Sequence, residues 1–249
     1  KLIGHGGENP TGVPVKTPAD QPPARITLLD DNPAQAVTIG GDRLETGLRK
    51  TFVGYGHGWG SFKLDLALDG PVPWTNEACR RAGTVHVGGT LAEVASAERQ
   101  VSRGQHPDRP FLITSQPTLV DPDRAPKGKH IFWAYCHVPP GSTVDVSEQI
   151  LGQVERFAPG FRDRIIHTTS TAPADFERTN RSMVGGDIAG GRSDGLKLVF
   201  RPRMALNPWR IGSDLYLCSQ STPPGAGVHG MAGWWAAKAA LKDLDNHDN

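Results

Sequence analysis

Short runs of apolar residues, several of them alternating with polar ones, recur along the chain and predict β-strands. In residues 61–68 every second side chain is apolar, which is typical of a strand with one buried face. Residues 129–138 are rich in β-branched and aromatic side chains, which favour extended backbone. On these patterns we predict strands at residues 25–30, 61–68, 85–89, 111–115, 129–138, 164–169 and 214–218.

Helical periodicity separates these strands. Thr90 and Glu93 have the spacing of a capping box, in which each side chain bonds to the other's backbone, and they open a predicted helix that runs to about Arg103. We predict further helices at residues 32–39, 147–157 and 173–178, and a last one that opens within residues 225–230 and ends near Leu241. Strands and helices in this mixed order predict an α/β fold of the mixed α+β kind.

Composition and charge indicate a globular protein and exclude some partners. The 249 residues, 37% of them apolar, can form one large domain or two modest ones. Lys and Arg total 27 against 26 Asp and Glu, and no basic stripe is visible, so we expect no nucleic-acid partner. The apolar runs are far shorter than the roughly 20 residues that cross a bilayer, so we expect no transmembrane span.

The cysteines and histidines do not form a metal or redox motif. Cys79, Cys136 and Cys218 are widely spaced without a C-x-x-C pair, which fits a reducing compartment. No His pair has the spacing of a zinc motif, so we expect no metal site. We therefore expect a cytoplasmic location, either free or peripheral to a membrane.

The first residues resemble an internal position in a longer polypeptide. They lack an initiator Met and the apolar core of a signal peptide. Five Pro and four Gly lie within residues 4–23, a composition that disfavours regular structure. We expect residues 1–24 to be a loop or joining segment.

A glycine-rich segment near the end of the chain carries the candidate chemistry. Gly225, Gly227 and Gly230 match G-x-G-x-x-G, the fingerprint of a dinucleotide pyrophosphate site. However, six residues separate them from the preceding strand, and only 19 follow Gly230, whereas a βαβ unit needs about 30. The glycines and the helix N-terminus therefore fit another, anionic part of a ligand.

Residues 215–231 resemble the C-terminal flavin motif of the phytoene desaturase-like FAD oxidoreductases. Their sequence is Leu-Tyr-Leu-Cys-Ser-Gln-Ser-Thr-Pro-Pro-Gly-Ala-Gly-Val-His-Gly-Met. Residues 116–130, 133–139 and 184–188 resemble stretches of the same family, and the likeness covers roughly residues 22–241. The subgroup is the phytoene dehydrogenase-related proteins, which are similar in fold to carotenoid desaturases and amine oxidases.

The resemblance implies the C-terminal part of a two-domain FAD-dependent oxidoreductase fold. Residues 25–50 and 200–249 would belong to the FAD-binding domain, with its last strand and helix, and residues 51–199 would form a substrate-binding domain with a mixed sheet and helices. The helix N-terminus would face the N1–O2 edge of the flavin ring. The implied cofactor-binding residues are Ser219, Ser221, Thr222, Pro224, Gly225, Ala226, Gly227, Val228, His229, Gly230 and Met231.

The Rossmann segment that binds the ADP half of FAD in this family has no counterpart in the sequence. We expect a partner chain to supply it in a heteromer, or the chain to be truncated or split from it. The alternative is a non-catalytic binding or scaffolding subunit that pairs with a complete flavoenzyme. In the catalytic case, hydride would pass from a C–H of a small hydrophobic, amine or alcohol substrate to flavin N5.

No catalytic residue is identified from the sequence, and four side chains keep two interpretations each. The His229 imidazole either donates a hydrogen bond to the flavin pyrimidine ring or is structural. Trp234 and Trp235 either stack on the cofactor or pack within the protein. Asp187 is either an acid or base or a turn residue that binds local N–H groups.

Overall fold

The computed structural model describes residues 10–248, except for the side chains of residues 197, 198, 247 and 248. It divides the chain into two compact units. The first, which we call the split unit, combines Lys1–Gly56 with Ala189–Asn249, and the second, the central unit, is His57–Ile188. The expected loop over residues 1–24 lies partly outside the described residues. From Pro10 onward it is irregular, with one 3-10 turn at Pro18–Asp20.

The strands and helices follow the chain in the mixed order that the sequence predicts. The strands are β1 (Thr27–Leu29), β2 (Gly60–Leu68), β3 (Thr84–Val87), β4 (Leu112–Ser115), β5 (His130–Val138), β6 (Ile165–Thr171) and β7 (Leu215–Leu217). The helices are α1 (Pro33–Gly40), α2 (Leu48–Val53), α3 (Glu77–Arg81), α4 (Leu91–Ser102), α5 (Ser147–Phe157), α6 (Pro173–Thr179) and α7 (Met231–Asp248).

A five-stranded antiparallel sheet forms the centre of the central unit, in the order β3-β4-β5-β2-β6. Alternate residues of β2 and β5 point to one face, where Leu64 and Phe132 are fully buried. Ile150 and Val154 of α5 pack against the same core. The alternating pattern of residues 61–68 therefore encodes one buried face, as predicted.

The capping box predicted at the start of α4 is present. The Thr90 hydroxyl accepts the Glu93 N–H at 3.3 Å, and the Thr90 N–H donates to the Glu93 carboxylate at 2.8 Å. The same carboxylate accepts a hydrogen bond from the Arg156 guanidinium at 2.7 Å. These bonds, that of Arg156 first, lower the pKa of Glu93 to about 2. The carboxylate thus joins α4 to α5 as well as capping α4.

Replacing Glu93 with Gln is expected to lower the free energy of unfolding near neutral pH, since a neutral amide pairs weakly with Arg156. Because the folded-state pKa lies below the ordinary 4.5, this stabilisation is complete above about pH 5 and is lost as pH falls through the folded-state value. Urea unfolding of the wild type and of Glu93→Gln over this pH range should give free energies of unfolding that become equal at acid pH. The control is Glu148→Gln, whose carboxylate is 78% exposed in its pair with Arg162. A difference that persists undiminished in acid would contradict this role.

The split unit is built on a parallel pair of strands, β1 and β7, with Leu29 opposite Leu217. Asn32 caps α1 by accepting the Gln35 N–H at 2.9 Å. A small core packs around the strands; its buried members are Leu29, Ala36, Val37, Leu48, Phe52, Ile211, Leu215 and Leu217. Because the pair is parallel, both strands end at the same edge.

The predicted bounds of the last helix are wrong at both ends. Helix α7 begins at Met231, after the glycines, because Gly225, Gly227 and Gly230 have φ values of +104°, +150° and +66°, which an α-helix does not allow. It continues past Leu241 to Asp248, since residues 242–248 contain neither Gly nor Pro. Among the helices that the structure describes, none has the length and apolar character to cross a bilayer.

Candidate functional site

The shared edge of β1 and β7 brings two segments together. Asp30 and Asp31 directly follow β1, and Cys218 directly follows β7. The Cys218 N–H donates to the Leu29 carbonyl at 2.9 Å, so the backbones remain paired where the strands end. In α/β folds, ligands bind at the carboxyl ends of parallel strands. This edge is therefore the candidate site.

Two carboxyl groups, of Asp30 and Asp31, give this edge a negative character, and the Cys218 thiol lies near them. Burial, followed by the charges of Asp30 and Asp31, raises the pKa of Cys218 to about 11. Burial and the neighbouring Asp31 also raise the pKa of Asp30. Cys218 therefore stays a neutral thiol at physiological pH, which does not suit a nucleophile.

Residues 219–222 form a buried turn after β7. The Ser219 carbonyl accepts both the Thr222 N–H, at 2.9 Å, and the Thr222 hydroxyl, at 2.8 Å. The Ser221 N–H donates to the Ser219 hydroxyl at 3.3 Å. Ser219, Ser221 and Thr222 are at most 6% exposed. These three predicted cofactor-binding side chains thus point inward and fix the shape of the loop.

The Gly190 carbonyl ties this turn to a distant stretch of the split unit. It accepts the Ser221 hydroxyl at 2.9 Å and the Tyr55 hydroxyl at 3.0 Å. The approach is so close that a Cβ on Gly191 would lie 2.1 Å from the Tyr55 oxygen. Glycine is therefore required where the two stretches meet.

The glycine segment itself is largely open to solvent. Gly225 is buried, whereas residues 226–230 are exposed. The His229 Nδ1 accepts the Met231 N–H at 3.0 Å, so the neutral imidazole carries its proton on Nε2. His229 thereby caps α7 and has an outward donor, and its Nε2 would be 2.8 Å from a Cβ on Gly227. A flat group could approach the backbone here without meeting a side chain of Gly225 or Gly227.

The two tryptophans at the start of α7 belong to an aromatic cluster. The Trp235 ring stacks on Trp209 with centroids 6.0 Å apart, and Trp234 meets Trp235 edge to face at 4.7 Å. The Lys238 ammonium lies 4.5 Å from the Trp234 ring centroid. These contacts favour the packing interpretation of both residues.

Comparisons with known proteins reveal partial relatives. No protein-family model matches the chain. It is 30% identical over 151 residues to the pyridine nucleotide-disulfide oxidoreductase domain-containing protein 2 of Mus musculus, and equally to that of Rattus norvegicus. The alignment covers 55% of this chain and 26% of each relative, so it spans about a quarter of their length.

Two solved structures are similar in fold. An oxidoreductase from Methanosarcina mazei matches with a TM-score of 0.50 and 18% identity over 90% of this chain and 44% of its own. A double mutant of putrescine oxidase matches with a TM-score of 0.50 and 10% identity over 88% and 42%. The chain shares its fold with part of each of these two proteins. The predicted mixed α/β architecture within a larger two-domain oxidoreductase fold is confirmed, while the phytoene desaturase-like subgroup stays a prediction.

Asp187, in the central unit, has the contacts of a turn residue. Its buried carboxylate accepts the Gly58 N–H at 2.7 Å and lies 3.8 Å from His57 Nδ1. The backbone contact favours the turn interpretation over an acid or base. Within residues 10–248, no three His, Cys, Asp or Glu side chains form a cluster that could hold a metal ion.

Several residues of the site were not predicted from the sequence. Asp30 and Asp31 could have been found, since an acidic pair directly after a predicted strand lies where α/β folds bind ligands. Gly190 and Tyr55 could not, because they reach the loop only through the fold. Arg201 was not predicted either. It is only 4% exposed, whereas arginine usually lies at the surface.

Proposed function

We propose that this chain forms the flavin-ring side of an FAD site in an oxidoreductase that takes hydride from a substrate C–H. One observation carries the proposal: the parallel strand pair ends in a rigid turn, and the glycine segment beyond it leads directly into α7. The oxidoreductase fold supports it independently. Bound FAD would supply the hydride acceptor. The protein would position the FAD and provide its electrostatic surroundings.

The backbone at the start of α7 suits an electron-rich ring edge. No acceptor among the described residues bonds to the N–H groups of Ala232 and Gly233, and the helix N-terminus carries partial positive charge. The absence of a Cβ at Gly225 and Gly227 lets the side chains of Arg201 and His229 pack closely against the glycine segment. His229 would add a donor through Nε2, on the interpretation that it binds the pyrimidine ring.

The side chains of the turn would act on the cofactor indirectly. Ser219, Ser221 and Thr222 hold the turn through hydrogen bonds of 2.8–3.3 Å. We assign them the role of fixing the loop, while Pro224, Ala226, Val228, Gly230 and Met231 would line the ring with their backbone. This assignment places contact with the cofactor on residues 224–231.

The ADP half of FAD would be bound by a segment outside this sequence. We propose that a second chain, or another part of one longer polypeptide, provides the Rossmann strand and helix. The substrate-binding domain predicted at residues 51–199 would take a small hydrophobic compound, an amine or an alcohol. Putrescine is an amine, and the similarity in fold to putrescine oxidase supports amines as one of these substrate classes.

Gly227→Val is expected to reduce flavin binding at least tenfold, because the added Cβ would lie 2.6 Å from Cδ2 of His229 and displace that ring. The tagged chain is purified with any polypeptide that accompanies it, and its flavin is measured by visible absorbance and by chromatography after acid release. Flavin-free protein is then titrated with FAD and with riboflavin, which lacks the ADP half. Gly47→Val is the control, since Gly47 also has a positive φ, +92°, but nothing within 4 Å of an added Cβ.

The wild type is expected to contain FAD or to take up either flavin. If it does neither, the proposal is wrong and the scaffolding alternative is the better account. If Gly227→Val and Gly47→Val bind flavin equally well, the ring does not lie at the glycine segment. Thermal unfolding of each variant separates loss of binding from loss of fold.

A further inference from the structure

Arg201 is a buried cation without a compensating anion. Its side chain lies in the split unit and is only 4% exposed. Its Nη2 reaches the carbonyls of Gly190, at 3.5 Å, and Gly191, at 3.3 Å, which are long for hydrogen bonds. Its Nε has no partner. Among the residues that the structure describes, no carboxylate lies within 4.0 Å of it.

This arrangement does not satisfy the guanidinium, and the Gly190 carbonyl does not depend on it. Burying a charge without a partner is costly, so buried arginines are normally paired with carboxylates or phosphates. The Gly190 carbonyl already accepts the hydroxyls of Ser221 and Tyr55 at 2.9 and 3.0 Å. Supporting the Gly190 carbonyl is therefore a weak explanation for a buried arginine.

The guanidinium is directed at the glycine segment. A Cβ placed on Gly225 would lie 2.6 Å from Nη1 of Arg201. Gly225 is the first of the three motif glycines and has a φ of +104°. The missing side chain and the unpaired cation therefore occur at one place, next to the turn that follows β7.

We propose that Arg201, whose guanidinium lies against Gly225, is a binding residue for the anionic edge of the flavin ring. This inference rests on the proposed function, because it concerns the same cofactor. A fixed cation there stabilises the negative charge that reduction places on the N1–C2=O edge.

The first test needs no flavin. In flavin-free protein, Arg201→Met is expected to leave the melting temperature unchanged or to raise it, because an apolar side chain of similar size replaces an uncompensated charge. The matched control is Arg203→Met, which breaks a pair with Glu45 at 2.9 Å and should lower the melting temperature. If Arg201→Met is destabilised as much as the control or more, Arg201 is structural and the proposal is overturned.

The second test uses flavin-loaded protein and sulfite as a probe. Sulfite donates its electron pair to flavin N5, and the ring takes up the negative charge at N1–C2=O, so the sulfite dissociation constant reports nearby cations. Arg201→Met is expected to raise that constant at least tenfold and to lower the two-electron reduction potential, where a tenfold change in the equilibrium constant is about 30 mV. Arg201→Lys should retain most of the sulfite affinity and most of the reduction potential. Arg203→Met should change neither the sulfite affinity nor the potential.

The outcomes separate the two proposals. A wild type that binds flavin, together with an Arg201→Met variant of unchanged sulfite affinity and potential, overturns the role of Arg201 and leaves the proposed function standing. If the loss appears only with FAD and not with riboflavin, the anion is the cofactor phosphate, and the ring assignment is overturned. If the wild type binds no flavin, both the proposed function and this role fail, whatever the first test shows.

Discussion

Phe132→Ala is expected to destabilise the central unit by about 3–5 kcal/mol, the usual cost of removing a buried phenyl ring. Phe132 is fully buried in β5, and in register it lies opposite Leu66 of β2. Its ring meets Phe161 edge to face at 5.1 Å and Trp74 at 6.4 Å. Both neighbours are themselves buried, so the protein cannot easily collapse into the space that the ring would leave.

The change is measured by urea unfolding followed through tryptophan fluorescence, since Trp74 lines the space that the substitution creates. The free energy of unfolding of Phe132→Leu should lie between that of the wild type and that of the alanine variant. Ile166→Ala is the control on the same sheet, because Ile166 is 54% exposed on the edge strand β6 and should cost less than about 1 kcal/mol. If Phe132→Ala costs no more than the control, the core is not packed around Phe132 as the structure indicates.

Much of the central sheet could be predicted because its strands have a local signature. In β2 and β5 the alternation of apolar and polar residues sets both the strand and its buried face. Strand β6 was also predicted, from the same kind of residues, yet five of its seven residues are exposed. Its position at the edge of the sheet decides this burial, and strand order depends on contacts far apart in sequence.

The start of α7 shows the limit of local reasoning in the split unit. The sequence places three glycines after a strand, and glycine is compatible both with a helix entry and with φ values that break a helix. The structure has the second, so the helix begins only at Met231. The choice depends on how residues 219–225 are held, and their partner Gly190 lies about thirty residues earlier.

The segment on which the candidate site is built is predicted from the sequence, whereas its internal organisation is not. The segment after β7 does lie at the carboxyl edge of a parallel pair, as a ligand-binding loop would. The direction of Ser219, Ser221 and Thr222 was not foreseeable, since hydroxyls bind equally well to ligands and to backbone. The lack of a carboxylate partner for Arg201 could not be predicted, because the fold decides which side chains lie next to each other.

Gly191→Ala is expected to destabilise the split unit by about 2–6 kcal/mol and to loosen the turn at residues 219–222. The estimate adds roughly 1–3 kcal/mol for a side chain at a φ of +126° and roughly 1–3 kcal/mol for overpacking. The new methyl group would lie 2.1 Å from the Tyr55 hydroxyl oxygen. Moving the backbone away would also pull the Gly190 carbonyl from Ser221, so strain here reaches the candidate site directly.

The measurement is urea unfolding combined with amide hydrogen exchange at Thr222, whose N–H donates to the Ser219 carbonyl at 2.9 Å. Exchange at Thr222 should accelerate in Gly191→Ala beyond what global destabilisation explains. Gly47→Ala tests the backbone contribution alone, because Gly47 has a φ of +92° with open space around it. In a Tyr55→Ala background, where the collision is removed, Gly191→Ala should cost less stability than it does in the wild type. Equal losses in Gly191→Ala and Gly47→Ala would mean that φ strain alone acts and that Tyr55 does not hold the segment against the turn.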